Sequence, residues 1–386
     1  MRLFNTTAMA LALAIPAGAA SAADVKIGMI TTLSGPAGYL GADIRDGFEL
    51  AMKDGTLGGI PVELEVQDDK LDPGQGRQIA DRMLNDEEIK LLTGIVFSNV
   101  AGAVVPEITG SDAIYISANA GPSTLAGKGC SENYFVASWQ NDTLHEMPGL
   151  LAQNQGYKTA FLAANNYQAG KDGLTGFKRE FKGEILGEVY TPLGQTDFSA
   201  VIAQIRAANP EVVYQFHPGE AGIAFIKQYN QAGLTSIPMV LPEPASDAVI
   251  LKALGDQAVG TKVALHWAEN LDNPANKAMV AAWKEKYPER PLTSYAVQGY
   301  QTALIMAEGL KATGGDVSDI DALREGIRNA RIESPSGNFA WGPNQHPVQD
   351  WYAAEVVKGA DGVPVVAAGD KIAEARGDVH AAECSM

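Results

Sequence analysis

The ordering of apolar runs restricts this chain more than any other feature. From Val25 onward, short apolar segments alternate with longer amphipathic ones. Val25-Lys26-Ile27-Gly28-Met29-Ile30 reads as a buried strand, Ser34-Gly35-Pro36 as a turn, and 47–53 as a helix. Val62 to Val66 alternates strictly, as a half-buried strand does. Asp72-Pro73 marks a helix start, because Asp caps free N–H groups and Pro suits the first helical position. Ile79, Met83 and Leu84 then share one helical face, and 91–97 and 113–116 read as further strands. This βαβ order demands a parallel sheet covered by helices on both faces.

After about Trp139 the pattern restarts. Strands are expected at 159–163, 212–216, 239–241 and 262–265, with helices at 173–181, 198–207 and 221–231. Asn209-Pro210 and Gly233 are helix terminators, and a helical pair follows at 276–287 and 298–313. A chain of 386 residues is longer than a single core normally supports, so two α/β lobes are the expectation. No repeat and no low-complexity linker separates them, so the connections must be short crossovers.

The first 23 residues read as an export signal. Arg2 supplies the positive end, 8–17 is apolar, and Ala20-Ser21-Ala22 is a small-residue cleavage site. The apolar run is too short to span a bilayer. With no cysteine beside the cleavage site, the mature chain is expected free in the periplasm rather than lipid-anchored. In that oxidising compartment Cys130 and Cys384, the only cysteines, are a disulfide candidate, two free thiols being the other reading. The formal charge of −17 excludes a nucleic-acid partner, which needs a basic surface.

Motifs for catalysis are missing. His145-Glu146 lacks the second histidine of a zinc helix. Gly74-Gln75-Gly76 begins like a dinucleotide fingerprint, but Ile79 stands where the third glycine belongs. No Gly-x-Ser-x-Gly elbow occurs, and the five histidines form no ligand-spaced cluster. The chain is expected to be no enzyme, to hold no metal and to need no cofactor.

Leu33-Ser34-Gly35-Pro36, Asp68-Asp69 with Asp72-Pro73, Thr196-Asp197-Phe198-Ser199, Gln231-Ala232-Gly233-Leu234 and Pro242-Glu243 occur in order along the chain. In these marks the sequence resembles the leucine/isoleucine/valine-binding protein family, periplasmic binding proteins of the type I fold. The resemblance implies two doubly wound parallel-sheet lobes, 24–139 plus 267–345 and 140–266 plus 346–386, with a ligand cleft between them. Three crossovers would lie near Trp139, near His266-Trp267 and at 346–351.

The resemblance also implies site residues. Ser98 would hold a ligand carboxylate, a helix N-cap being its other role. Asn119, Ala120 and Gly121 would complete the cradle, although the family's threonine is replaced by Gly121. Glu243 would pair with a ligand amino group, the alternative being a solvated loop carboxylate. Tyr295, Phe216, His217, Tyr167 and Tyr39 would wall the cleft, and Trp139 and Trp267 would stand at crossovers, in the cleft or in the hinge core. The function implied is capture, by hinge closure, of a hydrophobic amino acid or an aromatic carboxylate. Delivery would be to an ABC permease in the inner membrane, with the protein acting as a monomer. Presentation to a sensory receptor and binding of small amides are the alternatives.

Overall fold

The computed structural model describes residues 24–386. The export signal expected at 1–23 lies outside the described residues. Strand β1 (Val25–Thr31), helix α1 (Gly38–Ala51), β2 (Thr56–Leu57), β3 (Ile60–Asp68), α2 (Pro73–Asn85), β4 (Leu91–Thr93), α3 (Ser98–Thr109), β5 (Ile114–Ser117) and β6 (Tyr134–Val136) open the chain. They build a six-stranded sheet in the order β2-β3-β1-β4-β5-β6, parallel except for the short β2.

The chain then crosses over and continues with α4 (Asn141–Asn154), β7 (Thr159–Asn165), α5 (Gln168–Glu180), β8 (Glu184–Thr191), α6 (Ser199–Ala208) and β9 (Val212–Phe216). Next come α7 (Glu220–Gln231), β10 (Met239–Pro242), α8 (Ala248–Leu254) and β11 (Lys262–Leu265). Helices α9 (Pro274–Lys286), α10 (Ser294–Thr313) and α11 (Ile320–Arg328) follow. Strands β12 (Phe339–Trp341), β13 (Pro347–Lys358) and β14 (Pro364–Arg376) end the fold. The second sheet has eight strands, β12-β13-β11-β10-β9-β7-β8 with β14 on β13. Its centre is parallel, but β13 runs antiparallel to β11, β12 and β14.

The α/β reading with two parallel-sheet lobes describes this architecture. The local capping logic is visible too, since the Asp72 carboxylate accepts hydrogen bonds from the N–H groups of Gly74 and Gln75. The third passage differs from the 346–351 expected: β12 has already joined the second sheet at Phe339. Trp341 packs edge-on against Phe135 at 5.3 Å between ring centroids, so this passage lies against the edge of the first lobe.

Helix α10 returns to the first lobe and crosses α1 at very short range. A Cβ on Gly47 would sit 1.8 Å from the Ala296 carbonyl oxygen, and one on Gly299 would sit 1.9 Å from that of Ile44. Only glycine allows two backbones this close. Gly299→Val is expected to lower stability by about 1–3 kcal/mol, the usual cost of overpacking, as measured by urea unfolding.

Helices α4 and α5 and strand β14 are tied by Glu146. Its buried carboxylate accepts from Arg179 at 2.6 Å and from Arg376 at 2.7 Å. A disulfide joins Cys130 to Cys384, fastening the C-terminal tail to the first lobe. Among the described residues no helix is long and apolar enough to cross a membrane, and no cluster of side chains could hold a metal ion.

Candidate ligand-binding site

Parallel strands end where their helices begin, so both sheets direct loops and helix N-termini toward the interface between the lobes. In the first lobe Gly94, at φ 105°, turns the chain out of β4 and leads 95–97 to the start of α3. In the second, β7 and β9 end at Asn165 and Phe216, beside Tyr167 at the N-cap of α5. These ends line a narrow cavity.

One part of the wall is polar. Ser98 opens α3, and its Oγ accepts a hydrogen bond from Asn141 Nδ2 at 3.0 Å. The serine hydrogen is therefore left to donate elsewhere, and the first N–H groups of α3 have no partner inside the helix. Asn119 lies alongside, its amide donating to Gln298 Oε1 at 2.7 Å. Asn141 Nδ2 also reaches Asp172 Oδ2 at 3.0 Å. Asp172 in turn accepts from Ser123 Oγ at 2.6 Å and Gln168 Nε2 at 2.7 Å. Burial pushes the Asp172 carboxyl above its usual range, while the bonds from Ser123 and Asn141 pull it back. Ser123 belongs to the first lobe and Asp172 to the second, so this bond spans the interface. A second spanning bond runs from Tyr39 Oη to Asp247 Oδ2 at 2.7 Å.

The rest of the wall is aromatic. Tyr167 stacks on Phe216 with centroids 6.2 Å apart and planes 21° apart, and the tilted ring of Phe97 also lies 6.2 Å from it. His145 packs on Phe216 at 4.4 Å. Its Nδ1 is hydrogen-bonded to the Tyr214 hydroxyl, and burial holds the ring's pKa down to about 3, so it is neutral at physiological pH. Burial likewise raises the phenols of Tyr167 and Tyr295, which stay protonated. No Asp, Glu, Lys or Arg is among the described residues that line this cavity.

The structure thus brings Ser98, Asn119, Trp139, Tyr167, Phe216 and Tyr295 around one cavity. It places the other residues expected there elsewhere. Ala120 turns its carbonyl to Ser117 Oγ at 2.6 Å and Tyr134 Oη at 3.1 Å, within the first lobe. Gly121 packs against the crossover, where a Cβ would meet the Trp139 carbonyl oxygen at 2.1 Å, leaving no room for the family's threonine. His217 follows Phe216 but faces the opposite way, as neighbours on a strand do. It bonds to Thr191 Oγ1 at 3.0 Å and Gln215 Oε1 at 2.8 Å, and stacks on Phe225 within the second-lobe core.

Glu243 turns away from the cavity as well. Its Oε2 accepts the His266 N–H at 2.8 Å and lies 2.7 Å from His266 Nδ1. Both Glu243 and Trp267, whose indole donates to Asn276 Oδ1 at 2.7 Å, line a separate cavity. Tyr39 stands outside the wall in its bond to Asp247, with its neighbour Leu40 lining the cavity instead.

Among the polar lining residues, Asn141 and His145 escaped the sequence reading. With Leu144 they occupy positions i, i+3 and i+4 of α4, one helical face just after a crossover, and that spacing was the available signal.

Residues 24–361 match the family model described as periplasmic binding protein. The Leu/Ile/Val-binding protein homolog 6 of Brucella melitensis is 28% identical over 377 residues, covering 94% of this chain and 95% of that protein. A solute-binding protein of an ABC transporter from R. palustris, solved in complex with benzoate, superposes with a TM-score of 0.88 at 31% identity. The alignment covers 94% of this chain and all of that one. A second R. palustris solute-binding protein, in complex with 4-hydroxybenzoate, is similar at a TM-score of 0.84 and 25% identity, covering 92% of this chain and 98% of that one.

Proposed function

The chain belongs to the periplasmic binding protein family, and from that premise we propose that it captures a small aromatic carboxylate for an ABC importer. The observation that carries this reading is the absence of any Asp, Glu, Lys or Arg among the described residues lining the cleft cavity. A carboxylate can be held there by the Ser98 hydroxyl and the α3 N-terminus. A flat ring entering there would meet Tyr167, Phe216, Phe97 and Tyr295. An amino acid would bring an ammonium group with no carboxylate facing it, and an uncompensated buried charge is costly. The benzoate and 4-hydroxybenzoate complexes of the similar proteins support the same choice.

A hydrophobic amino acid is the second reading, favoured by the name of the Brucella relative and by Glu243 standing directly before Pro244 of the cavity wall. Calorimetric titration with benzoate, 4-hydroxybenzoate and leucine separates the two. Saturable binding of benzoate, with leucine weaker or inert, is the expected result; leucine alone binding would overturn the proposal.

Capture works by hinge closure. Spanning bonds such as Tyr39 to Asp247 and Ser123 to Asp172 form when the lobes meet, and the ligand raises the closed population by its preference for that state. The exported monomer then presents its closed form to the permease in the inner membrane.

Closure also carries a proton signature. Burial pushes the Asp247 carboxyl up to about 6, the bond from Tyr39 opposing the shift. In an open form, with Asp247 exposed, its pKa returns toward the ordinary value of about 3.9. The closed form therefore binds the proton more tightly, and affinity rises as pH falls from 7 through 6 toward 5. Titrations in buffers of different ionisation enthalpy should show proton uptake on benzoate binding near pH 5.5. Asp247→Asn should reduce it.

A further inference from the structure

We propose that Asn141 is a positioning residue that decides which acid derivative the cleft accepts. Its amide holds Ser98 as a hydrogen donor, so that a carboxylate is taken and the matching carboxamide refused. The inference rests on the cleft reading, in which Ser98 meets the carboxylate, and deepens it by assigning the selection to a residue that acts through Ser98.

Both ends of the Asn141 amide are engaged. Oδ1 accepts the Gly121 N–H at 3.3 Å, while Nδ2 donates to Ser98 Oγ and to Asp172 Oδ2, each at 3.0 Å. A backbone N–H can only donate. Asp172 stands as an acceptor, because the Ser123 N–H, Ser123 Oγ and Gln168 Nε2 also donate to it, at 3.1, 2.6 and 2.7 Å. Reversing the amide would set an N–H against the Gly121 N–H and an oxygen against the carboxylate. Like groups facing each other in a buried place are costly, so the orientation is fixed from two sides. Asn141 is only 3% exposed, and Ser98 receives an N–H from it rather than an oxygen.

Gly121 makes this orientation possible. Its carbonyl accepts the backbone N–H of Asn141 at 2.8 Å while its own N–H goes to Asn141 Oδ1, so the segment lies flat against the crossover. A Cβ at this position would be 2.1 Å from the Trp139 carbonyl oxygen. Any side chain would push the segment off the crossover and release the amide.

Ser98 is left with its hydrogen to offer. The N–H groups of Val100 and Ala101 turn back to the Phe97 carbonyl, at 3.0 and 2.9 Å, and those of Ser98 and Asn99 have no acceptor among the described residues. This corner therefore presents donors, which suits the two oxygens of a carboxylate. A carboxamide brings an NH₂ group in place of one oxygen, and that group would meet donors instead of an acceptor.

Calorimetry on the full chain with benzoate and benzamide tests the assignment. The unaltered protein should prefer benzoate by at least about thirtyfold. Asn141→Ala lets the Ser98 hydroxyl turn, and the preference should shrink by roughly fivefold or more. Gly121→Ala should shift it in the same direction. In a Ser98→Ala background, adding Asn141→Ala should leave the preference where Ser98→Ala alone puts it, since the two residues act as one unit. Circular dichroism verifies the fold of each variant. A residue that merely held the fold would weaken both ligands alike; an unchanged preference in Asn141→Ala would overturn the proposal. So would an unaltered protein that binds both equally, or a change of preference that persists without Ser98. Leucine binding in place of benzoate would remove only the choice of an aromatic acid, and leucine with leucinamide then reads the same preference. Binding of neither acid would remove the cleft reading and this inference together.

Discussion

Replacing Ser98 by alanine will weaken benzoate binding by roughly tenfold to a hundredfold while leaving the protein folded. Hydrogen bonds to charged groups contribute about 1.5–3 kcal/mol, and each 1.4 kcal/mol is a factor of ten. The serine oxygen already receives Asn141 Nδ2, so its hydrogen is the part offered to a guest anion. Removing the hydroxyl costs the apo protein little, because Asn141 keeps its second acceptor, Asp172. Calorimetry of Ser98→Ala against benzoate, with thermal melts alongside, measures both quantities. Unchanged affinity in a folded variant would show that the anion is held elsewhere.

The second large effect concerns stability. Reducing the Cys130–Cys384 bridge, or replacing both cysteines by serine, will lower stability by about 2–5 kcal/mol. For a chain of this size that corresponds to a melting temperature roughly 3–7 °C lower. The bridge closes a loop with a sequence separation of 254 residues, so it restricts the unfolded chain strongly. In the folded state the tail has few other anchors, among them Asp378 accepting from Asn344 and a contact of His380 with Asp142 at 3.4 Å. Release of the tail in the reduced native state recovers some entropy, which places the expectation below the full loop-closure value. Melting curves with and without reductant decide the matter, and identical curves would mean that the tail contributes nothing.

Much of the architecture was legible because strand–helix alternation is a property of local sequence. Asp72-Pro73 announced α2 at the correct residue, and 212–216 and 262–265 coincide with β9 and β11. The errors have specific causes. Helix α1 begins at Gly38 rather than near 47, because Gly38, Gly41 and Gly47 look like helix breakers yet serve close backbone approaches. The strand expected over 91–97 stops at Thr93, where Gly94 turns it. The β13–β14 hairpin went unread, since its half-exposed residues carry weak periodicity and the preceding pattern promised parallel strands.

The site was legible where position alone decides. Ser98, Asn119, Tyr167 and Phe216 stand at or just beyond the ends of parallel strands, and such ends meet in the cleft. Orientation was not legible. Phe216 and His217 are adjacent and point apart, Glu243 prefers His266, and which face of α4 carries Asn141 and His145 depends on its packing on α5.

The two-way amide of Asn141 has one more consequence. A single side chain steadies both the anchoring hydroxyl at Ser98 and the carboxylate at Asp172 that clasps Ser123 across the interface. Docking and clasping therefore stiffen each other. Changes at Ser123, which lines no part of the chamber, will be felt as a faster escape of the guest.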